Sequence, residues 1–483
     1  MDPQTILWTD TEVYQRGYEK TATALIAVER ALRSRCPLGG AEDEFLSLYE
    51  TLAAADPETF TVIWEDPFAY FWARWAYELT GWCLNPAPPP AALIRYCAQL
   101  GADEPHRALA LHLEEFKKFI LALELRSGGG RRFQSPLRTL LPFSIPGTGL
   151  SLLGSGAIEI LGVGEQGLQV MRDGRSWHLA IGSAPATRDI AALVERPVAR
   201  FGDFEVTLKP ETFMVPGINE ARRLADLPDS YQQQQVSLLQ EALALVERHQ
   251  PTAFEHFTHL TRVIAFKSPT EGSFSNVSFS DLPGAFILSA VPEPHWVADA
   301  LIHELLHNRL YFILERGEIL DRSEGDEPTE FYSPWREDLR PLSGLLHANY
   351  VYIGVARFWH AVCASGEARG LERAYAEDQA VRAVLQLKIG IAQMGRHAKF
   401  TSRGFELFRQ MEREADDLLA SMRRLHLSPD APATVARSDG ALVGIVSKAD
   451  GRPLSILESV EAHVAEFDIH RQCPRLRAMF HLA

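Results

Sequence analysis

The sequence predicts an α+β protein that is mostly helical. Three observations carry this expectation. Apolar residues recur at three- and four-residue spacing through residues 1–126 and most of 216–425, the period of helices with a buried face. Residues 137–215 instead hold short apolar pieces, AIEILGVG, LQVMRDG and SWHLAIG, punctuated by glycine, a pattern of strands and turns. Lastly FSNVSFSDLPGAFILSAV, two strand-like runs joined at Asp281–Gly284, stands just before a long apolar helix.

Taken in order, residues 1–126 form a helical N-terminal region. EVYQRGYEKTATALIAVERALRS has helical spacing, and WEDPFAYFWARWAYELTGWCL reads as one buried helix. The latter carries Trp64, Trp72, Trp75 and Trp82; large aromatics at this density read as core rather than as an aromatic cage. NPAPPPAA, residues 85–92, is a stiff connector. RSGGGRRFQSP, residues 126–136, is a break, and the small β-rich region 137–215 follows. Within it GTGLSLLGSG lacks the lysine of a phosphate loop and the GxGxxG register, so it reads as a glycine-rich turn. Residues 216–267 return to helix, with VSLLQEALALVERHQP as the clearest stretch. Further helices are expected from about His295 to Gly317, over 341–364, 371–399 and 403–425, with Pro341 at a helix start and Gly366 past its end. A C-terminal extension, 426–483, holds a strand-like ALVGIVSK and a helix over about 453–466. Repeats are not visible.

Composition narrows the function classes. With 483 residues, 48 Lys and Arg and 63 Asp and Glu, the chain carries a net charge of −15. That balance argues against a general nucleic-acid or anionic-membrane surface, both of which need clustered cations. No apolar run approaches the ~20 residues of a bilayer span, and MDPQTILWTDTEVYQ has no signal-peptide pattern. Five scattered cysteines, Cys36, Cys83, Cys97, Cys363 and Cys473, lack CxxC spacing, which favours a reducing cytoplasm over a disulfide scaffold.

Chemistry concentrates at His303-Glu304-Leu305-Leu306-His307. Histidines at i and i+4 share one helix face, so both imidazoles can reach one metal ion. Chance supplies such a pattern roughly 0.04 times in a chain of this composition, so context matters. The helix WVADALIHELLHNRLYFIL is apolar almost all round and therefore interior; two histidines and a glutamate buried there need partners, and a metal ion is one. The blander reading makes them core histidines bonded to backbone or carboxylates. The strands before the helix fit an HExxH metalloenzyme-like core, strands followed by a long metal-binding helix.

A third ligand is expected from a following helix or loop. His347, in PLSGLLHANY, is the best candidate, with Gly344 and Ala348 making its helix slim enough to approach the first. The alternative is an ordinary core histidine, and Glu315, Glu330, Glu337 and Asp338 are carboxylate alternatives. Arg336 and Arg340 frame WREDLRP. Guanidinium groups grip carboxylates through paired hydrogen bonds, so they suit an anionic co-substrate; equally, they can pair locally with Glu337 or Asp338. Arg396 and His397, late in their helix, are weaker candidates, since cations gather at helix ends for dipole reasons.

The combination of LPGAFILS, HWVADALIHELLHNRL, YSPWREDLRPLSGLLHANYVYIGVARFW and KFTSRGFELF resembles the HExxH-motif peptide-modification family. Its members are 2-oxoglutarate-dependent peptide β-hydroxylases of ribosomal peptide natural-product pathways, with iron at the HExxH histidines. The resemblance extends upstream to WEDPFAYFWARWA and LLPFSIPGTGLSLLG and covers roughly residues 20–425; PWREDLRPLSGLLHANY is its most specific part. It implies that His303 and His307 ligate iron with His347 as third ligand. It also implies that Arg336 and Arg340 hold the carboxylates of 2-oxoglutarate and that Glu304 is the family glutamate, orienting a ligand or the substrate.

The expected function is thus a non-haem Fe(II)/2-oxoglutarate-dependent oxygenase that β-hydroxylates a precursor peptide. Its expected partners are the peptide, 2-oxoglutarate and dioxygen, with neither nucleic acid nor membrane, in the cytoplasm. Two alternatives stand beside it. One is a zinc metalloprotease with Glu304 as general base; the other is a non-catalytic peptide-binding protein with a structural metal.

Overall fold

A computed structural model describes residues 12–466, apart from 35–37, 39, 86–87, 165–166, 182–190, 214–228, 269–274, 322–330, 337 and 437–440. Among the described residues the chain is α+β and mostly helical. Seven helices come first: α1 (Glu12–Ser34), α2 (Ala41–Ala53), α3 (Pro57–Trp64), α4 (Pro67–Leu84), α5 (Ala91–Gln99), α6 (Pro105–Glu114) and α7 (Lys117–Ser127). The expected single helix from Trp64 is broken. Pro67 disfavours helical backbone at the residue before it, and Asp66 adopts an extended conformation, capping α4 by accepting the Phe68 N–H. Its second oxygen accepts the Gly147 N–H at 2.8 Å, tying these helices to the sheet that follows. Trp64, Trp72 and Trp75 are buried in an aromatic core with Phe45, Phe71, Phe116 and Phe119.

The first sheet is antiparallel, in the order β1 (Arg131–Ser144), β2 (Leu150–Gly164), β3 (Gly167–Arg172) and β4 (Arg175–Ala180), with β5 (Ala192–Glu195) also on β2. Two expectations need correction. The break after α7 is shorter than the glycine run implies: Gly128, at φ +66°, ends the helix, and β1 starts at Arg131. Pro136 is tolerated inside β1 because it falls at a register shift between Arg132 and Leu137, where no ladder hydrogen bond is required. Likewise GTGLSLLGSG turns only at its start; from Leu150 it is strand β2.

The second sheet runs β6 (Val198–Phe201), β7 (Phe204–Leu208), β8 (Val263–Lys267), β10 (Ala285–Ser289), β9 (Val277–Ser278). Strands from both sides of residue 215 share it. Residues 263–267, expected in helix, are instead strand β8, after helices α8 (Asp229–His249) and α9 (Pro251–Leu260). VIAFK is buried throughout because both faces of the sheet are covered, Ile264 and Phe266 by one core and Val263 and Ala265 by the other, which removes the alternation that normally marks a strand. The Asp281–Gly284 turn joins β9 and β10 as expected, and that pair is antiparallel.

The C-terminal half is built on α10 (Pro294–Glu315), α11 (Leu342–Ser365), α12 (Leu371–His397) and α13 (Ser402–Arg424). Helix α11 ends at Gly366 in the left-handed conformation, as its sequence signals. The extension adds a short hairpin, β11 (Thr434–Ala436) with β12 (Leu442–Gly444), and α14 (Ile456–Glu466), which packs on α12. ALVGIVSK is thus only partly strand, and its helix begins three residues later than expected because Pro453 is held in a bridge with Val446. Cys83, Cys97 and Cys363 are outside disulfides; Cys36 and Cys473 lie outside the described residues. No described helix is long and apolar enough to cross a membrane.

Candidate functional site

Helix α10 carries the HExxH residues into an interior setting. Pro294 occupies its first turn, and the Glu293 side chain accepts the Trp296 N–H at 3.2 Å, satisfying an orphan donor. Leu301, Leu305, Leu306 and Leu310 are buried, so the helix is held by its apolar faces. Asn308, fully buried, locks it to the strand layer: its Oδ1 accepts the Gly284 N–H at 3.1 Å, and its Nδ2 donates to the Glu304 carbonyl at 3.1 Å. Gly284 is required there. Its φ is +83°, and a Cβ would stand 2.4 Å from the Leu260 carbonyl oxygen.

Asp299, His303, His307 and Tyr311, at spacing four, line a cleft of about 870 Å³ between α10 and α11. His303 Nε2 and His307 Nε2 are 3.1 Å apart, and His307 Nδ1 lies 3.2 Å from His347 Nδ1. The structure therefore brings all three sequence-predicted histidines together. The contacts His347–His307, Tyr352–His303 and Trp359–Asp299 run in opposite order along the two helices, so α10 and α11 are antiparallel and the cleft has two ends.

The residue that lets α11 approach is Gly354, not Gly344. A Cβ on Gly354 would meet Leu306 Cδ1 at 2.3 Å and Ile302 Cγ2 at 3.3 Å, whereas one on Gly344 would make only ordinary contacts with Arg340 and Pro341. Gly344 and Ala348 line the cleft instead, and their small size widens it.

Burial sets the electrostatics. It lowers the imidazoles of His303 and His347 to about 4, and His307 further, with its two histidine neighbours adding to the effect. At neutral pH all three are uncharged, with lone pairs available. Glu304 is buried and faces Ser278 and Lys267; desolvation raises its carboxyl to about 7 against their opposing pull.

Arg336 and Arg340 both line the cleft, near the start of α11. They also pair locally: Arg336 Nε donates to Asp338 at 3.2 Å and Arg340 Nη2 at 2.8 Å. One carboxylate thus offsets two guanidiniums among the described residues, and Arg340 Nε is buried without a partner there. Reciprocal backbone hydrogen bonds between Phe331 and Arg340, 2.7 and 2.8 Å, close the loop. Trp335 stacks on Tyr352 at 4.9 Å, and Gln386 Nε2 donates to the Pro334 carbonyl. Gly390 on α12 leaves room for Trp335, whose ring would stand 2.7 Å from any Cβ.

Among the carboxylate alternatives, Glu315 binds Tyr70 and Lys20 away from the cleft, Asp338 is held by the arginines, and Glu330 and Glu337 lie outside the described residues. Arg396 is exposed and His397 packs against Phe331, so neither lines the cleft. The sequence reading missed Asp299, Tyr311, Tyr352, Trp359 and Tyr375 as cleft residues. For Asp299 and Tyr311 the signal was present: they extend the 303/307 spacing by one turn in each direction.

The fit to a metal ion is partial. Two nitrogens on one tetrahedral metal with bonds of about 2.0–2.1 Å stand about 3.4 Å apart, close to the His303–His307 separation. His347 presents its Nδ1 to the opposite nitrogen of His307, so the three rings touch in a row rather than converging on one point. Accordingly, no described group of three or more His, Cys, Asp or Glu side chains is arranged to hold a metal ion. No family model matches the chain, and no curated protein matches it.

Proposed function

We propose that the chain is a non-haem Fe(II)- and 2-oxoglutarate-dependent oxygenase of the HExxH peptide-modification type, which β-hydroxylates a side chain of a ribosomally made precursor peptide. The observation that carries this reading is the pairing, along one cleft, of three neutral imidazoles with two arginines that a single described carboxylate offsets. The sequence resemblance supports it, as does an arrangement in which a strand layer leads into α10, the layout of an HExxH metalloenzyme-like core. The buried thiols of Cys97 and Cys363 suit a cytoplasmic setting.

In this reading His303 and His307 would hold the metal from one helix face, with His347 as the third ligand. Bound iron would supply the oxidation of an unactivated C–H bond by dioxygen, with 2-oxoglutarate consumed to succinate and carbon dioxide. Arg336 and Arg340 grip the carboxylates of 2-oxoglutarate, and the unpartnered Arg340 Nε is a donor in waiting. Trp335 and Tyr352 wall the cleft beside His303 and exclude water there. Its volume is ample for a co-substrate and a peptide side chain, since ligand pockets typically span about 300–1,000 Å³.

One observation favours a second reading, a zinc metalloprotease. The Glu304 carboxyl, raised to about 7, is poised where a general base works best. Glu304→Gln separates the two, because glutamine keeps the shape but loses the basicity. As a protease base, Glu304 would be worth about 10²–10⁴-fold. The oxygenase reading expects the Gln variant to keep its metal and 2-oxoglutarate-dependent turnover within about tenfold of wild type, a loss below that general-base range, compared at equal metal occupancy. A thousandfold fall would assign Glu304 to the chemistry and end this division of roles.

A further inference from the structure

We infer that the end of the cleft away from the arginines is a subsite for a cationic side chain of the substrate peptide, built from the Asp299 carboxylate and the rings of Trp296, Trp359 and Tyr375. The inference deepens the oxygenase reading and rests on it for the statement that a peptide is the ligand.

Asp299 lies one turn before His303 on the cleft face of α10. Among the described residues its hydrogen-bond donor is neutral, the Trp359 indole N–H, which bonds Oδ2. Oδ1 is left to the cleft. A carboxylate in a walled cavity with no counter-ion is costly; burial accordingly raises this one to about 6. A cation entering the cleft would relieve that cost.

The surroundings have the same preference. The Trp296 and Tyr375 rings lie 5.8 Å apart and the Trp359 and Tyr375 rings 5.4 Å apart, centroid to centroid. All three line the cleft. His295 stacks behind Trp359 at 6.2 Å, and Glu293 pairs with His295 at 2.7 Å. Aromatic faces attract ammonium and guanidinium groups through the ring quadrupole. Arg382, which also lines the cleft, is already neutralised by two hydrogen bonds to the buried Asp378, at 2.8 and 2.9 Å. It therefore does not serve Asp299, and it does not repel an incoming cation with a full unpaired charge.

The spacing places the cation along the peptide. A rise of four helical residues separates Asp299 from His303, about 6 Å along the axis. In an extended peptide, side chains two residues apart lie on the same side and about 6.6–6.8 Å apart. A lysine or arginine two positions from the modified residue therefore reaches Asp299 while that residue faces the histidines.

The probe is a library of acetylated nonapeptides with randomised positions, equilibrated with immobilised full-length protein and sequenced after washing. Wild type, both metal-free and iron-loaded without oxygen, is expected to enrich Lys and Arg over Leu and Glu by about tenfold. Asp299→Asn keeps the Trp359 hydrogen bond and the side-chain volume, and is expected to drop the enrichment below twofold. No basic enrichment on wild type, or equal enrichment on folded Asp299→Asn, overturns the subsite. Metal content, measured on the same preparations, keeps the two readings apart. Basic enrichment on a protein that takes up no metal would sink the oxygenase reading and leave the subsite standing. A metal-replete protein without enrichment would do the reverse.

Discussion

Metal bound per chain is expected to fall to background in His303→Ala and in His307→Ala, with 2-oxoglutarate-dependent turnover lost in parallel. The two imidazoles sit 3.1 Å apart on one helix face and are neutral through burial, so each alanine removes half of the pair that α10 offers. Even outer-shell partners of metal ligands cost 10–100-fold in affinity when removed, so a ligand itself should cost at least about 100-fold. The fold should survive, because α10 is held by Leu301, Leu305, Leu306 and Leu310 on its other faces, and circular dichroism should change little. Metal analysis of the purified variants reads the result directly. Unchanged metal content in both would remove the site from consideration. His347→Ala reads the third position, and wild-type metal affinity in that variant would take His347 out of the ligand set.

Gly284→Ala is expected to cost about 2–5 kcal/mol of stability, from two sources. The left-handed backbone at φ +83° costs an L-residue about 1–2 kcal/mol. The added Cβ would stand 2.4 Å from the Leu260 carbonyl oxygen, a backbone atom that cannot rotate away, and overpacking of this kind costs about 1–3 kcal/mol. Gly366→Ala is the control: its φ is +69°, but nothing lies within 4 Å of the new Cβ, so only the backbone cost of about 1–2 kcal/mol applies. Denaturant unfolding of both variants separates conformational strain from collision. Because the Gly284 N–H anchors Asn308 on α10, the Gly284 variant should also bind metal more weakly, while the Gly366 variant should not. Equal destabilisation of the two would refute the close approach.

The long helices were legible because their period and their ends agree. Pro294 and Pro341 stand at helix starts and Gly366 past a helix end, and within each helix the apolar spacing is unbroken. The turn at Asp281–Gly284 was legible for the same local reasons. Strand β8 was not, since a strand covered on both faces loses its alternation and VIAFK then reads like helix interior. Strand β1 was hidden by Gly128–Gly130, whose glycines end a helix without prolonging the loop. The break at Asp66 was written in the sequence as Asp-Pro, but the aromatic run on both sides masked it.

At the site, the chemistry of the motif was readable and its surroundings were not. Spacing alone places His303 and His307 together, and an unusual polar residue in an apolar helix points to His347. Which glycine lets the helices close, Gly354 rather than Gly344, depends on the crossing of α10 and α11, a tertiary fact. So does the arrival of Trp359 and Tyr375 beside Asp299 from helices that follow much later in the chain.

Mass analysis of a candidate precursor peptide incubated with iron-loaded protein, 2-oxoglutarate and air, alongside succinate quantification, tests the oxygenase directly. The oxygenase reading expects a peptide heavier by one oxygen atom, its backbone intact, with succinate formed in step and nothing formed when 2-oxoglutarate is withheld. Backbone cleavage by zinc-loaded protein without 2-oxoglutarate would contradict it.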